Sequence, residues 1–225
     1  MSKWQQVILF GIVSVFLASC AIPVDIRNSG FFQEQDLRDF ADNWLRISSY
    51  QHSPGHINIL QRGSVHMTGR YRFEGDSLAG GTTELGQIDL EINFDDRDEV
   101  RPGSYVIPIT SGKISNITGL LPDVPDFGVG WSGEIPITGT ISVEEAVGTE
   151  GDPPLIGFEA KGTVTSIPRR DGDAGSSREV QRIFSGTFFQ EFKLGVFPLS
   201  AAGTVTQDVS SIAGPNNQFY LEQAR

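Results

Sequence analysis

Trp131-Ser-Gly-Glu-Ile-Pro-Ile-Thr-Gly-Thr-Ile-Ser-Val143 alternates over thirteen residues, with Trp131, Gly133, Ile135, Ile137, Gly139, Ile141 and Val143 on one parity and Ser132, Glu134, Thr138, Thr140 and Ser142 on the other. A period of two is that of a half-buried strand, because successive side chains leave a pleated backbone on opposite sides. The same period recurs before and after this stretch. Val65, Met67, Gly69, Tyr71 and Phe73 alternate with His66, Thr68, Arg70 and Arg72, and Ile88, Leu90, Ile92 and Phe94 alternate with Asp89, Glu91, Asn93 and Asp95. Three further apolar faces lie beyond it: Ile156 to Val164, Val180 to Phe192 through Phe184, Gly186 and Phe188, and Leu199 to Val205. With weaker strands at Tyr105 to Ile109, running on towards Ile117, and at Gln218 to Leu221, the expectation is eight strands separated by polar turns.

Glycines refine the architecture. Gly69, Gly139, Gly162, Gly186 and Gly203 fall mid-strand on the apolar parity, and the last four are each followed by Thr. Mid-strand glycine weakens a strand, so it is expected where a sheet bends sharply or another backbone comes close. Its repetition on one face fits a narrow closed barrel better than a flat sandwich. The glycines share that face with Trp131, Phe158, Phe184 and Phe188, so the apolar face is the cramped interior and the charged face meets water, the reverse of a membrane-embedded barrel. The expected fold is mainly β, an eight-stranded antiparallel soluble β-barrel over residues 65–225.

One short amphipathic helix is expected ahead of it, within a helix-and-loop region over residues 33–64. Leu37, Phe40, Ala41, Trp44 and Leu45 recur at helical spacing between Gln33 and Ser48, and Glu34 and Asp36 suit the positive end of the helix dipole. The stripe is expected to pack on a sheet or close a barrel end. His52 and His56 come next, but Pro54 and Gly55 between them break the helix that would put both on one face, so a solvated loop is expected rather than a metal site.

The N-terminus carries an address. Lys3, an apolar run from Val7 to Leu17 and small residues leading to Cys20 form a secretory signal over residues 1–19, too short to span a bilayer, which takes roughly 20 residues. Cys20 is the single cysteine and cannot form an internal disulfide. A thiol is the side chain that offers a soft, partly ionised nucleophile for alkylation near neutral pH. Leu17-Ala-Ser-Cys20 matches the lipobox of bacterial lipoproteins, and that resemblance implies a lipidated Cys20 thiol and an acylated new amino group. Two or more acyl chains would hold the chain to a bilayer firmly. Ala21 rather than Asp after the cysteine resembles the outer-membrane sorting pattern of Gram-negative bacteria. Residues 20–32 are then a lipidated tether, with Pro23, Asn28, Ser29 and Gly30 opposing regular structure and letting the domain stand off the membrane.

Removal of residues 1–19 takes away one charge, Lys3, and leaves 16 basic against 28 acidic residues, a net of -12. Such a surface repels phosphate backbones, so nucleic acid is excluded as a partner. No nucleophile elbow of the Gly-x-Ser-x-Gly kind occurs, and no catalytic set or cofactor motif is found. Asp95-Asp-Arg-Asp-Glu99 reads as a solvated acidic turn, and Arg169-Arg170 beside Asp171 as a charged loop tip. Asp171-Gly-Asp-Ala-Gly175 resembles a calcium loop but lacks the further oxygen ligands at fixed offsets.

Thr68-Gly-Arg-Tyr-Arg-Phe-Glu-Gly75 resembles the opening strand of the β-barrel domain of transferrin-binding protein B and its small relatives. Phe184-Ser-Gly-Thr-Phe-Phe189 resembles that family's aromatic strand near the C-terminus, and Gly203-Thr-Val-Thr206 stands where the family continues with a glycine-led strand. The resemblance covers residues 65 to 223 and implies an eight-stranded barrel on an outer-membrane lipoprotein without enzymatic activity. Gln190-Glu-Phe192 stands where the family turns through Gly-Pro, and one barrel replaces two lobes, so transferrin recognition does not carry over. A lipocalin fits less well, since its Gly-x-Trp opens the first strand whereas Trp131 lies mid-chain behind Gly130. The expected function is a lipid-anchored, non-catalytic binding protein whose partners are the membrane and another envelope protein, in protein binding, nutrient capture or envelope assembly. The alternative is a carrier of a small apolar ligand or haem inside the barrel, since eight strands enclose room for one.

Overall fold

The computed structural model describes residues 24–25, 30–49, 62–75, 83–121, 127–144, 154–167, 175–190, 199–208 and 213–224. They form one helix, α1 (Glu34–Ser48), and eleven strands. In chain order the strands are β1 (Val24–Asp25), β2 (Ser64–Phe73), β3 (Thr83–Asn93), β4 (Asp98–Arg101), β5 (Ser104–Leu120), β6 (Phe127–Ser132), β7 (Ile135–Glu144), β8 (Leu155–Ser166), β9 (Ser177–Gln190), β10 (Leu199–Thr206) and β11 (Gln218–Gln223). All pair antiparallel in a single sheet. Because β5 pairs with both β3 and β7, the path β5-β3-β2-β11-β10-β9-β8-β7 returns to its start and closes a ring of eight strands. These eight coincide with the eight runs of alternating residues.

Two elements differ from expectation. The Trp131–Val143 run is two strands, since Gly133 sits at φ +118, a conformation that side-chain-bearing residues rarely adopt. Both parts keep the same neighbours: β6 pairs with the last residues of β5 and with Thr165 and Ser166 of β8, and β7 with the earlier part of β5 and with Leu155–Ala160 of β8. Alternation survives it, so Trp131 and Ile135 both face the core. The strand expected at Tyr105 does run on past Ile117, as a single 17-residue strand with register shifts against β3, one of them beside Asn116 at φ 50. The second half of the acidic turn, Asp98 and Glu99, is strand: β4 pairs with the start of β5, and all four of its residues are exposed.

Every strand of the ring, together with Val129 and Trp131 of β6, contributes to one apolar cluster. A single shared cluster arises because the apolar parity of all strands points inward. Its centre is aromatic: Phe158 stacks on Phe184 at 4.4 Å between ring centroids, and Phe219 stands edge-on to both at 5.5 Å. Two facing glycines make room for Phe219. Gly186 and Gly203 are cross-strand partners on β9 and β10, and a Cβ on either would lie 2.9 and 2.7 Å from the Phe219 ring.

Helix α1 lies outside the ring, on the reverse face of β10, β11 and β2. Phe40 and Ile47 are fully buried there with Leu85, Leu120, Ala202 and Tyr220, and Leu37 and Trp44 pack against the same cluster. The spacing Leu37, Phe40, Trp44, Ile47 keeps these residues on one line along the helix. Leu45, assigned to the stripe from sequence, is rotated about 100° from Trp44 and is 61% exposed. The Asp36 carboxylate accepts from the Gln33 backbone N–H at 2.8 Å and caps the first turn. It also pairs with Arg70 on β2 at 2.9 Å, and Arg46 pairs with Glu222 on β11 at 2.8 Å.

Candidate functional site

Cys20 lies outside the described residues, as do His52, His56, Arg169, Arg170 and residues 171–174. Within the described residues, chemistry concentrates in two places: the interior of the ring and a groove on its outer wall.

The interior holds a charge pair that the sequence reading missed. Glu84 on β3 and Arg182 on β9 are 0% and 3% exposed. The Arg182 guanidinium donates through Nε to Glu84 Oε1 at 3.1 Å and through Nη2 to Oε2 at 2.6 Å, a bidentate fork. Tyr71 Oη donates to the same carboxylate at 2.7 Å, and Arg182 Nη1 donates to the Gln181 carbonyl at 2.8 Å. The guanidinium carbon stands 4.1 Å from the Phe73 ring centroid. In the ring order β3 and β9 are four steps apart among eight, so the pair bridges opposite walls. Burial first, and then the Glu84 carboxylate, push the Tyr71 hydroxyl well above the ordinary tyrosine range, which keeps its proton in place as a donor. Burial works against the Arg182 charge, but Glu84 and Tyr71 outweigh it and hold its proton more firmly than usual.

Parity is the signal that could have found this pair. Arg182 shares the even positions of Val180, Phe184, Gly186 and Phe188, and Glu84 those of Ile88, Leu90 and Ile92. A charge is almost never fully buried unless it is paired, so an Arg on the apolar parity of one strand calls for an acid on the apolar parity of another. Chemically the cluster is closed: every group named here is engaged with another, which suits a structural cross-tie. Trp131, expected among the large inward side chains, is 2% exposed, and its indole N–H meets no acceptor among the described residues. Phe158, Phe184 and Phe188 are also buried, as their parity requires.

The groove lies on the outer wall where the pairing of β5 with β7 lapses between Pro108 and Lys113. It has a volume of about 460 Å3, with Leu90, Gly112 and Pro136 as its apolar part and His66, Asp89, Glu91, Ser111, Lys113 and Glu134 around them. Lys113 pairs with Glu134, whose hydrogen bond and charge hold the ammonium above the ordinary lysine range. His66 Nε2 approaches Asp89 Oδ1 at 3.8 Å. Carboxylates outnumber cations here, so the groove favours basic groups over phosphates or carboxylates. Among the described residues no three His, Cys, Asp or Glu side chains converge as a metal site, and no helix is long and apolar enough to cross a membrane.

Thr68–Phe73, Phe184–Phe189 and Gly203–Thr206 lie on β2, β9 and β10, which with β11 are consecutive in the ring. Comparison of the chain with protein families, curated proteins and solved structures gives no match.

Proposed function

We propose that this chain is an outer-membrane lipoprotein, anchored through lipidated Cys20, whose closed eight-stranded β-barrel binds a protein partner through its outer surface and catalyses nothing. One observation carries the reading: the enclosed space is occupied by side chains. The stacked pair Phe158 and Phe184 and edge-on Phe219 lie within it, and Tyr71 joins Phe184 to the Glu84–Arg182 bridge. A ligand carrier needs a cavity that its cargo can fill, whereas a filled barrel offers only walls, ends and loops. The ring of strand pairings supports closure, and the lipobox supports the anchor. The transferrin-binding protein B resemblance supports the class, a surface or envelope binding barrel, without naming its partner.

Metabolic labelling with an alkyne palmitate analogue in a Gram-negative host, followed by separation of inner and outer membranes, tests this. The label should enter the chain, co-sediment with the outer membrane and be lost in Cys20→Ser. Labelling that persists in Cys20→Ser, or an unlabelled chain released as a soluble protein, would refute the anchor.

A further inference from the structure

The lipid anchor of the proposed function leads to a barrel held close to the bilayer rather than on a flexible stalk. Sequence composition made residues 20–32 a tether, but the described part of that segment is attached to the ring at three points. Val24 and Asp25 pair with Gly128 and Phe127 as β1, at the start of β6. The Phe31 ring packs over Gly130, where a Cβ would lie 2.9 Å from it. The Phe32 backbone N–H donates to Thr118 Oγ1 on β5 at 3.2 Å, and its side chain is buried in the cluster that holds α1. Arg70 stacks on the Phe32 ring, 4.7 Å from its centroid.

Chain length does the rest. Four residue steps separate Cys20 from Val24, and a fully extended chain spans at most about 14 Å over them. We infer that the end of the ring where β5 finishes and β6 begins is moored within about 14 Å of the lipid headgroups, with the β4–β5 hairpin at the far end facing away. This inference rests on lipidation of Cys20. Leu120 pairs with Gly128 beside β1, while Tyr105 pairs with Glu99 of β4, so about 50 Å of strand path at 3.3 Å per residue separates the mooring from the hairpin. Charge acts in the same sense. Asp95, Asp96, Asp98 and Glu99 cluster at the hairpin end against Arg97 and Arg101, and anionic lipid repels that excess. The surface left open to a partner is therefore the far end and the wall away from β1.

The test uses the full acylated lipoprotein in vesicles of phosphatidylethanolamine and phosphatidylglycerol carrying a headgroup nitroxide. The sulfur of an acylated Cys20 is a thioether, so a fluorophore on Gln207→Cys or Val100→Cys labels one thiol alone. Gln207 comes directly after β10 at the moored end, Val100 lies on β4, and both are exposed. The nitroxide should quench the label at position 207 several-fold more than that at position 100. A flexible Gly-Ser insert of about twelve residues between Ala21 and Ile22 should remove the difference while acylation persists. Equal quenching without the insert, or stronger quenching at position 100, would overturn the mooring. An intact mass without acyl chains would instead remove the lipidation reading, and the mooring with it.

Discussion

Arg182→Met removes one half of the pair that spans the ring and leaves the Glu84 carboxylate buried beside the Tyr71 hydroxyl that still donates to it. Loss of one member of a buried pair typically costs 3 to 5 kcal/mol, and the geometry here, a bidentate fork between groups 0% and 3% exposed, places the expected loss at about 4 kcal/mol. For a domain of this size each kcal/mol shifts the melting temperature by roughly 2 to 4 °C, so the variant should melt about 8 to 16 °C below the parent. Glu84→Met should lose a similar amount, because it strands the guanidinium. The double variant Glu84→Met with Arg182→Met should recover most of it, since an apolar pair of similar volume replaces a bridge whose attraction was offset by desolvation. Its remaining deficit is the orphaned Tyr71 hydroxyl, about 1 to 3 kcal/mol, which adding Tyr71→Phe should relieve. Urea unfolding of the four variants closes the cycle. Single-variant losses below about 1 kcal/mol, or a double variant equal to the sum of the singles, would refute the bridge.

Gly203→Ala should destabilise by about 2 to 3 kcal/mol in urea, because the new methyl meets the Ser185 carbonyl and the Phe219 ring, and backbone cannot turn aside as a side chain can; an unchanged midpoint would contradict the packing. Phe40→Ala should cost about 3 to 5 kcal/mol and raise hydrogen exchange along α1 more than in the ring strands, since Phe40 is fully buried on the outer wall against Tyr220. Uniform exchange over the whole chain would count against a docked helix. At high pH, burial of Tyr71 and Tyr220 raises both hydroxyls above their unfolded value near 10, so their contribution is complete below about pH 10 and is lost as pH rises further. Stability should therefore fall above that pH by up to about 1.4 kcal/mol per unit for each of the two tyrosines, and Tyr71→Phe should flatten the fall. An identical slope in Tyr71→Phe would show that Tyr71 ionises equally in both states.

Strand placement was legible because burial on one side imposes a period of two, and Trp131 to Ile141 kept that period even across the Gly133 break. The break itself was not legible: Gly133 looked like one more inward glycine, and its positive φ leaves the parity and the neighbours β5 and β8 unchanged on both sides. Helix α1 was found from its stripe, but Ile47 takes the place given to Leu45, because Leu37, Phe40, Trp44 and Ile47 share one line while Leu45 lies about 100° around the helix from Trp44. β1 and β4 have two and four residues, too few to show a period. Parity made Glu84 and Arg182 legible as inward charges, but their pairing was not, because the two lie 98 residues apart and meet only across the ring.

Mass spectrometry of the mature chain under native and then denaturing conditions bears most directly on a filled interior. Packing of Phe158, Phe184 and Phe219 inside the ring together with the Glu84–Arg182 bridge predicts equal masses in the two conditions. A heavier native species that releases a small molecule on denaturation would contradict it and make the protein a carrier.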